Sequence, residues 1–330
     1  ASDAFHAARG FAEVGAAEPG QWRNARNPHL VEIMDCLSPA HPCERVVFKK
    51  PTQVGGTEVL LNMLGFIMCH DPGPCMLLVP GIDMAERHSK QRIAPSIDAS
   101  PEWRAHVKPA RSRDSGNTVR VKEFRGGILV IVTSNSASAL RSMPVRYLLC
   151  DEVDKYLKNL DDEGSAFEIA VRRTSTYVGR RKVYLCSSPT IKGDSLIDAE
   201  YQASAQRERH IPCPHCAALQ VLVMDQLLDD GRYLCTACGT PIDEQFKPQM
   251  FARGQWIAKN PASAVPGFHL NALYAPYRLG ESWLAIAAER ALAKANPERL
   301  VTFVNTFCGE AFEGERQQAD AAVIEARAEL

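Results

Sequence analysis

No run of 18 or more apolar residues occurs in this sequence, which excludes a membrane-spanning helix. The first ten residues, ASDAFHAARG, lack the basic-then-apolar pattern of an export signal. Excess charge is missing too: 38 Lys and Arg against 39 Asp and Glu give a formal net charge of −1. That excludes a protein that coats nucleic acid by bulk charge, though local basic patches remain open to a transient DNA contact. Internal repeats and low-complexity segments are absent. With no export signal, the 11 Cys read as reduced thiols, not as a disulfide framework. Four of them form two C-x-x-C pairs, and most of the others read as small core residues.

What is present fits an α/β protein. The 330 residues suffice for one large domain with an appendage, or for two modest domains. Residues 45–48 (RVVF) read as a buried strand. Residues 58–70 have helical spacing and stop at Pro72-Gly73-Pro74. Residues 76–79, 147–150 and 183–186 are further apolar runs, and residues 83–92 and 167–173 read as helices between them. Residues 119–124 and 128–132 flank Arg125-Gly126-Gly127, a hairpin signal. The suggestive polar residues follow the strands, where open α/β sheets bind ligands. The expected fold is a mostly parallel sheet flanked by helices, of the P-loop type, with a small four-cysteine zinc-ribbon module. The expected divisions are residues 1–205, 206–245 and 246–330.

The usual phosphate loop reads G-x-x-x-x-G-K-[ST] between a strand and a helix. Here the eight positions are Lys50-Pro51-Thr52-Gln53-Val54-Gly55-Gly56-Thr57, followed by Glu58. Gly55 stands at the sixth position, and Thr57 supplies the hydroxyl for Mg²⁺. Backbone N–H groups from Gln53 to Glu58, at a helix N-terminus, would cradle phosphates. Two positions depart: Lys50 replaces the first Gly, and Gly56 stands where the Lys belongs. The chemistry still needs a cation near the β- and γ-phosphates. Lys50 is the first choice and Lys49 the second. A Gly-rich turn capping a core strand is the plain alternative.

About 90 residues on, the apolar run at 147–150 ends in Asp151-Glu152. Beside a phosphate loop, the first carboxylate holds Mg²⁺ and the second orients and deprotonates the attacking water, a task suited to a buried Glu with a raised pKa. Ser187-Ser188-Pro189-Thr190 ends the next strand. It reads either as a sensor of the γ-phosphate or as an ordinary turn. Cys213-Pro-His-Cys216 and Cys235-Thr-Ala-Cys238 stand 18 residues apart, a spacing that places four thiolates on one zinc ion with no open position. That makes the zinc structural. Arg172-Arg173 and Arg180-Arg181-Lys182 read either as DNA-phosphate contacts or as solvated ends of a helix and a strand. His269 reads as a core residue. Trp256, Trp283 and Phe303 read as packing residues 250–312 back onto the main core.

Taken together, the ordered stretches Gly20-Gln-Trp-Arg23, Gln53-Val-Gly-Gly-Thr-Glu58, Ala139-Leu-Arg-Ser142, Leu149-Cys-Asp-Glu-Val-Asp154, Ser187-Ser-Pro-Thr190, Cys213-Pro-His-Cys216, Gly267-Phe-His-Leu-Asn271 and Phe303-Val-Asn-Thr306 resemble the large subunit of tailed-phage terminases of the GpA (lambda-like) type. The resemblance implies an ATPase that drives double-stranded DNA into a procapsid. The implied partners are a small terminase subunit, the portal-bearing procapsid and further copies of itself in a ring, all in the host cytoplasm and none in a membrane. The displaced Lys is a habit of this family, so Lys50 becomes the expected cation, Asp151 the Mg²⁺ holder and Glu152 the base. Trp22 or His29, in residues 21–30, would lie near the adenine. Arg141 is the candidate arginine finger in trans, or else a salt-bridged loop residue. Acidic residues after 240 are scattered, whereas a metal-dependent nuclease clusters them, and residues 321–330 read as a helix cut short. The expectation is a chain that stops where the family's nuclease begins. The competing readings are a helicase-like ATPase and a zinc-ribbon DNA-binding protein with an inactive phosphate loop.

Overall fold

The central strands are unbroken apolar runs, and such runs are stable only where both faces of a sheet are covered. The computed structural model, which describes residues 10–11, 18, 20–108 and 117–314, shows how this is done. One sheet holds β1 (Arg45–Lys49), β2 (Pro74–Val79), β3 (Val121–Phe124), β4 (Gly127–Thr133), β5 (Tyr147–Asp151), β6 (Lys182–Ser187), β7 (Arg207–Pro212), β8 (Leu219–Val221), β9 (Gln255–Ala258) and β10 (Gly267–His269). Their order is β8-β7-β10-β1-β6-β5-β2-β4-β3, and β9 also pairs with β7. From β7 through β4 every pairing is parallel. The hairpin β3–β4 and the pairs β8–β7 and β9–β7 are antiparallel.

Side chains alternate along each strand, so each strand feeds two cores. Val46, Phe48, Leu77, Leu149 and Tyr184 pack under α1 (Leu30–Leu37) and α2 (Gly56–Cys69). Val47, Leu78, Leu148, Cys150 and Leu185 face α4 (Ala166–Arg172) and α5 (Leu196–Gln202). The helix expected over 83–92 has two parts. It begins as α3 (Ile82–Arg87) and continues as a wider, π-type turn over His88–Ile93.

The boundary expected near residue 205 falls between α5 and β7, inside the sheet. After the Cys module the chain returns as β10, which inserts between β7 and β1. Trp256, Trp283 and Phe303 lie in the same buried cluster as Phe48, as the sequence suggested. The helix read over residues 321–330 lies outside the described residues. Among the described residues, no helix is long and apolar enough to cross a membrane.

Candidate functional site

The C-terminal ends of β1, β6 and β5 lie side by side, with Lys49 opposite Ser187 and Cys186 opposite Asp151. After Lys49 the chain turns through Lys50–Gly55 and enters α2 at Gly56. Gln53 and Gly55 adopt left-handed backbones, φ 58° and 101°, a conformation that favours Gly at position 55. A Cβ on Gly55 would also lie 2.7 Å from Leu30 Cδ1. Asn27 closes the loop from the other side by donating to Val54 O at 3.2 Å. Thr52 N donates to Thr306 O at 3.1 Å.

The two lysines at the loop's start separate cleanly. Lys49 is buried under Tyr201, its Nζ 4.7 Å from the ring centroid, and pairs with Asp198 at 3.1 Å and with Glu310. Lys50 points the other way, and its Nζ lies 3.2 Å from Glu152 Oε1. Burial presses the Lys50 ammonium toward neutrality, but Glu152, Cys186 and Asp151 outweigh it and hold its pKa above the ordinary lysine value. The aliphatic part of Lys50 lies directly over Gly56: a Cβ there would be 2.3 Å from Lys50 Cε and 2.6 Å from Cδ. The missing side chain at 56 and the relocated lysine at 50 therefore occupy one volume.

Thr57 Oγ1 donates to Asp151 Oδ2 at 3.1 Å. The Asp151 carboxylate also receives His88 Nε2 on Oδ2 at 3.1 Å and the Cys186 thiol on Oδ1 at 3.1 Å. Burial alone would raise its pKa; His88, Lys50 and Cys186 prevail and hold it at about 2. Glu152 has a left-handed backbone, φ 56°, uncommon for a non-glycine residue and frequent at functional positions. Lys155 Nζ lies 3.1 Å from its second oxygen. Asp154, to which the sequence assigned no role, accepts from Thr190 N (2.9 Å), Thr190 Oγ1 (3.0 Å) and Ile197 N (2.8 Å). It ties the carboxylate turn to the Ser187–Thr190 loop. Ser187 O in turn accepts from Lys50 N at 3.1 Å, and Ser188 is half-buried beside it.

Three predicted residues stand apart. His29 is completely buried, edge-on to Phe251 and Tyr274, and accepts from Arg209 Nε at 3.1 Å. Its side chain is core; within residues 21–30 it is Asn27 and Leu30 that lie against the phosphate loop. Trp22 is half-buried and bonds to Asn24 Oδ1 at 2.8 Å. Arg141 is exposed and ion-paired with Glu163. In the basic cluster, Lys182 is buried and donates to the carbonyls of Cys36, His41 and Cys43, and Arg181 pairs with Glu44. Arg172 and Arg180 are exposed.

The four cysteines converge. Cys213 and Cys238 sulfurs are 4.0 Å apart, Cys216 and Cys235 sulfurs 3.8 Å, and all four lie within 4.8 Å of one another. Thiolates about 2.3 Å from a tetrahedral zinc ion would be separated by about 3.8 Å. Both pairs use the same turn: Ala217 N donates to Cys213 O at 2.9 Å and Gly239 N to Cys235 O at 3.0 Å. Both Ala217 and Gly239 are left-handed, φ 61° and 67°. The set fits a structural zinc ion.

A glycine-turned loop at the head of a helix, with its acidic pair on the second strand over, defines a P-loop α/β protein of the nucleotide-binding kind. The family profile described as "Phage terminase large subunit gpA, ATPase domain" matches residues 16–256, and the chain belongs to that family. A second profile, "Terminase large subunit gpA, endonuclease domain", matches residues 265–330, so the nuclease-domain match begins inside this chain and not, as expected, after its last residue. The terminase large subunit of Enterobacteria phage P21 is 26% identical over 89% of this chain and 50% of its own length. That of Escherichia phage lambda is 24% identical over 92% of this chain and 52% of its own length. The chain thus spans about half the length of these curated relatives. The large terminase of bacteriophage HK97 shares the fold, with a TM-score of 0.59 at 10% identity over 93% of this chain and 54% of that one.

Proposed function

We propose that this chain binds and hydrolyses ATP to drive double-stranded DNA into a viral procapsid. The observation that carries the reading is one cluster at the head of α2. Lys50 lies 3.2 Å from Glu152, and Thr57 lies 3.1 Å from an Asp151 whose pKa is held at about 2. The hydroxyl of Thr57 and the carboxylate of Asp151 are hard oxygen donors that suit Mg²⁺. Held there, such an ion would supply positive charge to offset that of the phosphates.

The chain's own groups supply the rest. N–H groups of the loop and the first turn of α2 receive the phosphates. Arriving phosphates compete with Glu152 for the Lys50 ammonium. Glu152, released from that pair, takes a proton from the attacking water. Loss of the γ-phosphate is read at Ser187, Ser188 and Thr190 and passed on through Asp154. Trp22 flanks the base, and Arg141 serves as the finger on a neighbouring subunit. Zinc at Cys213, Cys216, Cys235 and Cys238 holds the inserted module together.

In this proposal the division into residues 1–205, 206–245 and 246–330 follows the work done by each part. The partners are duplex DNA, a small terminase subunit, the portal-bearing procapsid and a ring of identical chains in the host cytoplasm. Steady-state ATPase with and without duplex DNA and procapsids tests it. Turnover abolished by Glu152→Ala and Lys50→Ala, retained by Lys49→Ala and stimulated by DNA or procapsids is expected. Equal turnover by wild type and Glu152→Ala overturns the enzymatic reading.

A further inference from the structure

His88 contacts the Asp151 carboxylate, and the nucleotide-site reading leaves it without a task. It arrives from outside the phosphate loop, at the start of the wide turn His88–Ile93 that follows α3. The ring is only 5% exposed. Its Nε2 lies 3.1 Å from Asp151 Oδ2, the same oxygen that accepts Thr57 Oγ1. Its Nδ1 is buried and has no hydrogen-bond partner among the described residues. An apolar ring would fill this space without burying an unpartnered nitrogen, so packing alone does not account for an imidazole here.

We propose that His88 is a positioning residue: it fixes the orientation of the Asp151 carboxylate so that Asp151 and Thr57 together receive a divalent cation. The proposal rests on the nucleotide-site reading. Asp151 is gripped on both oxygens, by His88 and Thr57 on Oδ2 and by Cys186 on Oδ1. Rotating the carboxylate breaks all three bonds. Groups that orient a metal-binding carboxylate from behind commonly set the affinity of the site. The turn itself favours this task. Widening by one residue per turn recurs at functional positions in helices, and the same turn sends Arg92 to within 3.6 Å of Glu58, in the first turn of α2. One segment thus braces both the carboxylate and the helix that presents Thr57.

The test is the affinity of the full chain for a fluorescent, non-hydrolysable ATP analogue, titrated in Mg²⁺ and again in EDTA. Wild type should bind more tightly with Mg²⁺. His88→Leu should lose about tenfold of that gain, with its affinity in EDTA unchanged. His88→Gln, which returns an N–H donor, should recover most of the gain. Melting curves establish that both variants fold. A His88→Leu protein that keeps the full Mg²⁺ gain, or that weakens equally in EDTA, overturns the role of His88 while leaving the nucleotide site standing. A wild-type chain that binds no nucleotide overturns both.

Discussion

Replacing Gly56 by Ala asks whether the relocated lysine and the vacant side-chain position are one device. The added methyl would lie 2.3 Å from Lys50 Cε and 2.6 Å from Cδ. Carbon atoms in contact sit about 3.5–4.0 Å apart. Lys50 must therefore retreat by about 1–1.5 Å, which carries its ammonium away from Glu152. The backbone gives no reason for instability, because Gly56 is not among the left-handed glycines. Ala in a helix is favoured over Gly by about 1 kcal/mol. The bond from Tyr184 OH to Gly56 O, 3.0 Å, uses only backbone at position 56 and survives. Misplacing a reacting group by about 1 Å costs about 100-fold, equivalent to about 2.7 kcal/mol of barrier. The expectation is kcat reduced about 100-fold with a melting temperature equal to or above that of wild type. Exchanging the pair, Lys50→Gly with Gly56→Lys, should restore part of the turnover by returning the cation to the usual position. Gly56→Ala with kcat within threefold of wild type, or with a lowered melting temperature that accounts for the loss, refutes the argument.

Metal analysis should find about one zinc per chain, and Cys235→Ser should release it; zinc-free protein with intact stability sinks the four-cysteine assignment. Stability should fall with acid. Burial, aided by Arg209 and Lys247, holds the His29 pKa well below 6.5, and burial with Lys49 pushes His269 down to about 3. Both rings stay neutral in the native state while the unfolded chain takes up protons near 6.5. Their contribution is therefore complete above that pH and is lost as pH falls below it, for His269 down to about 3. At pH 5.5 His269 costs about 1.4 kcal/mol, and His29→Phe should flatten the dependence of the urea midpoint; a wild-type midpoint constant from pH 7.5 to 5 contradicts this. Asp154→Ala removes the acceptor of three hydrogen bonds and should cost about 2–3 kcal/mol in urea unfolding. An unchanged midpoint would show that the Ser187–Thr190 loop holds itself.

Much of the fold was legible because strands covered on both faces leave a continuous apolar signature, and Asp151-Glu152 stands where such a run stops. The Cys pairs were legible because a tetrahedral ion demands two tight turns. The choice between Lys49 and Lys50 was legible in principle as well. Phe48 faces α2, so parity along β1 sends Lys49 toward α5 and returns Lys50 to the side of α2. Other features depend on distant chain. His29 sits in a segment that looks like a nucleotide contact, but Phe251 and Tyr274, more than 200 residues later, close over it. His88 was read only as part of a helix over residues 83–92. It meets Asp151 because β2 pairs with β5, a neighbour relation that no local pattern encodes. β10 was missed as a strand because three residues give too short a period, and a Cys module separates it from the strands before it.

That short strand has a practical consequence. β10 pairs with β7 on one side and β1 on the other, so it is the seam that joins the late strands to the strand carrying the phosphate loop. Further along, Thr306 O accepts from Thr52 N, and Phe312 N donates to Thr190 O at 2.8 Å. A recombinant fragment trimmed at residue 256, the limit of the ATPase-domain match, would remove the seam and both of those ties. It would leave β7 and β8 without an edge to dock on and would cut β9 after its second residue. The stretch matched by the ATPase-domain profile is thus shorter than the stretch that must fold together, and truncations of this protein should keep residues through at least 312.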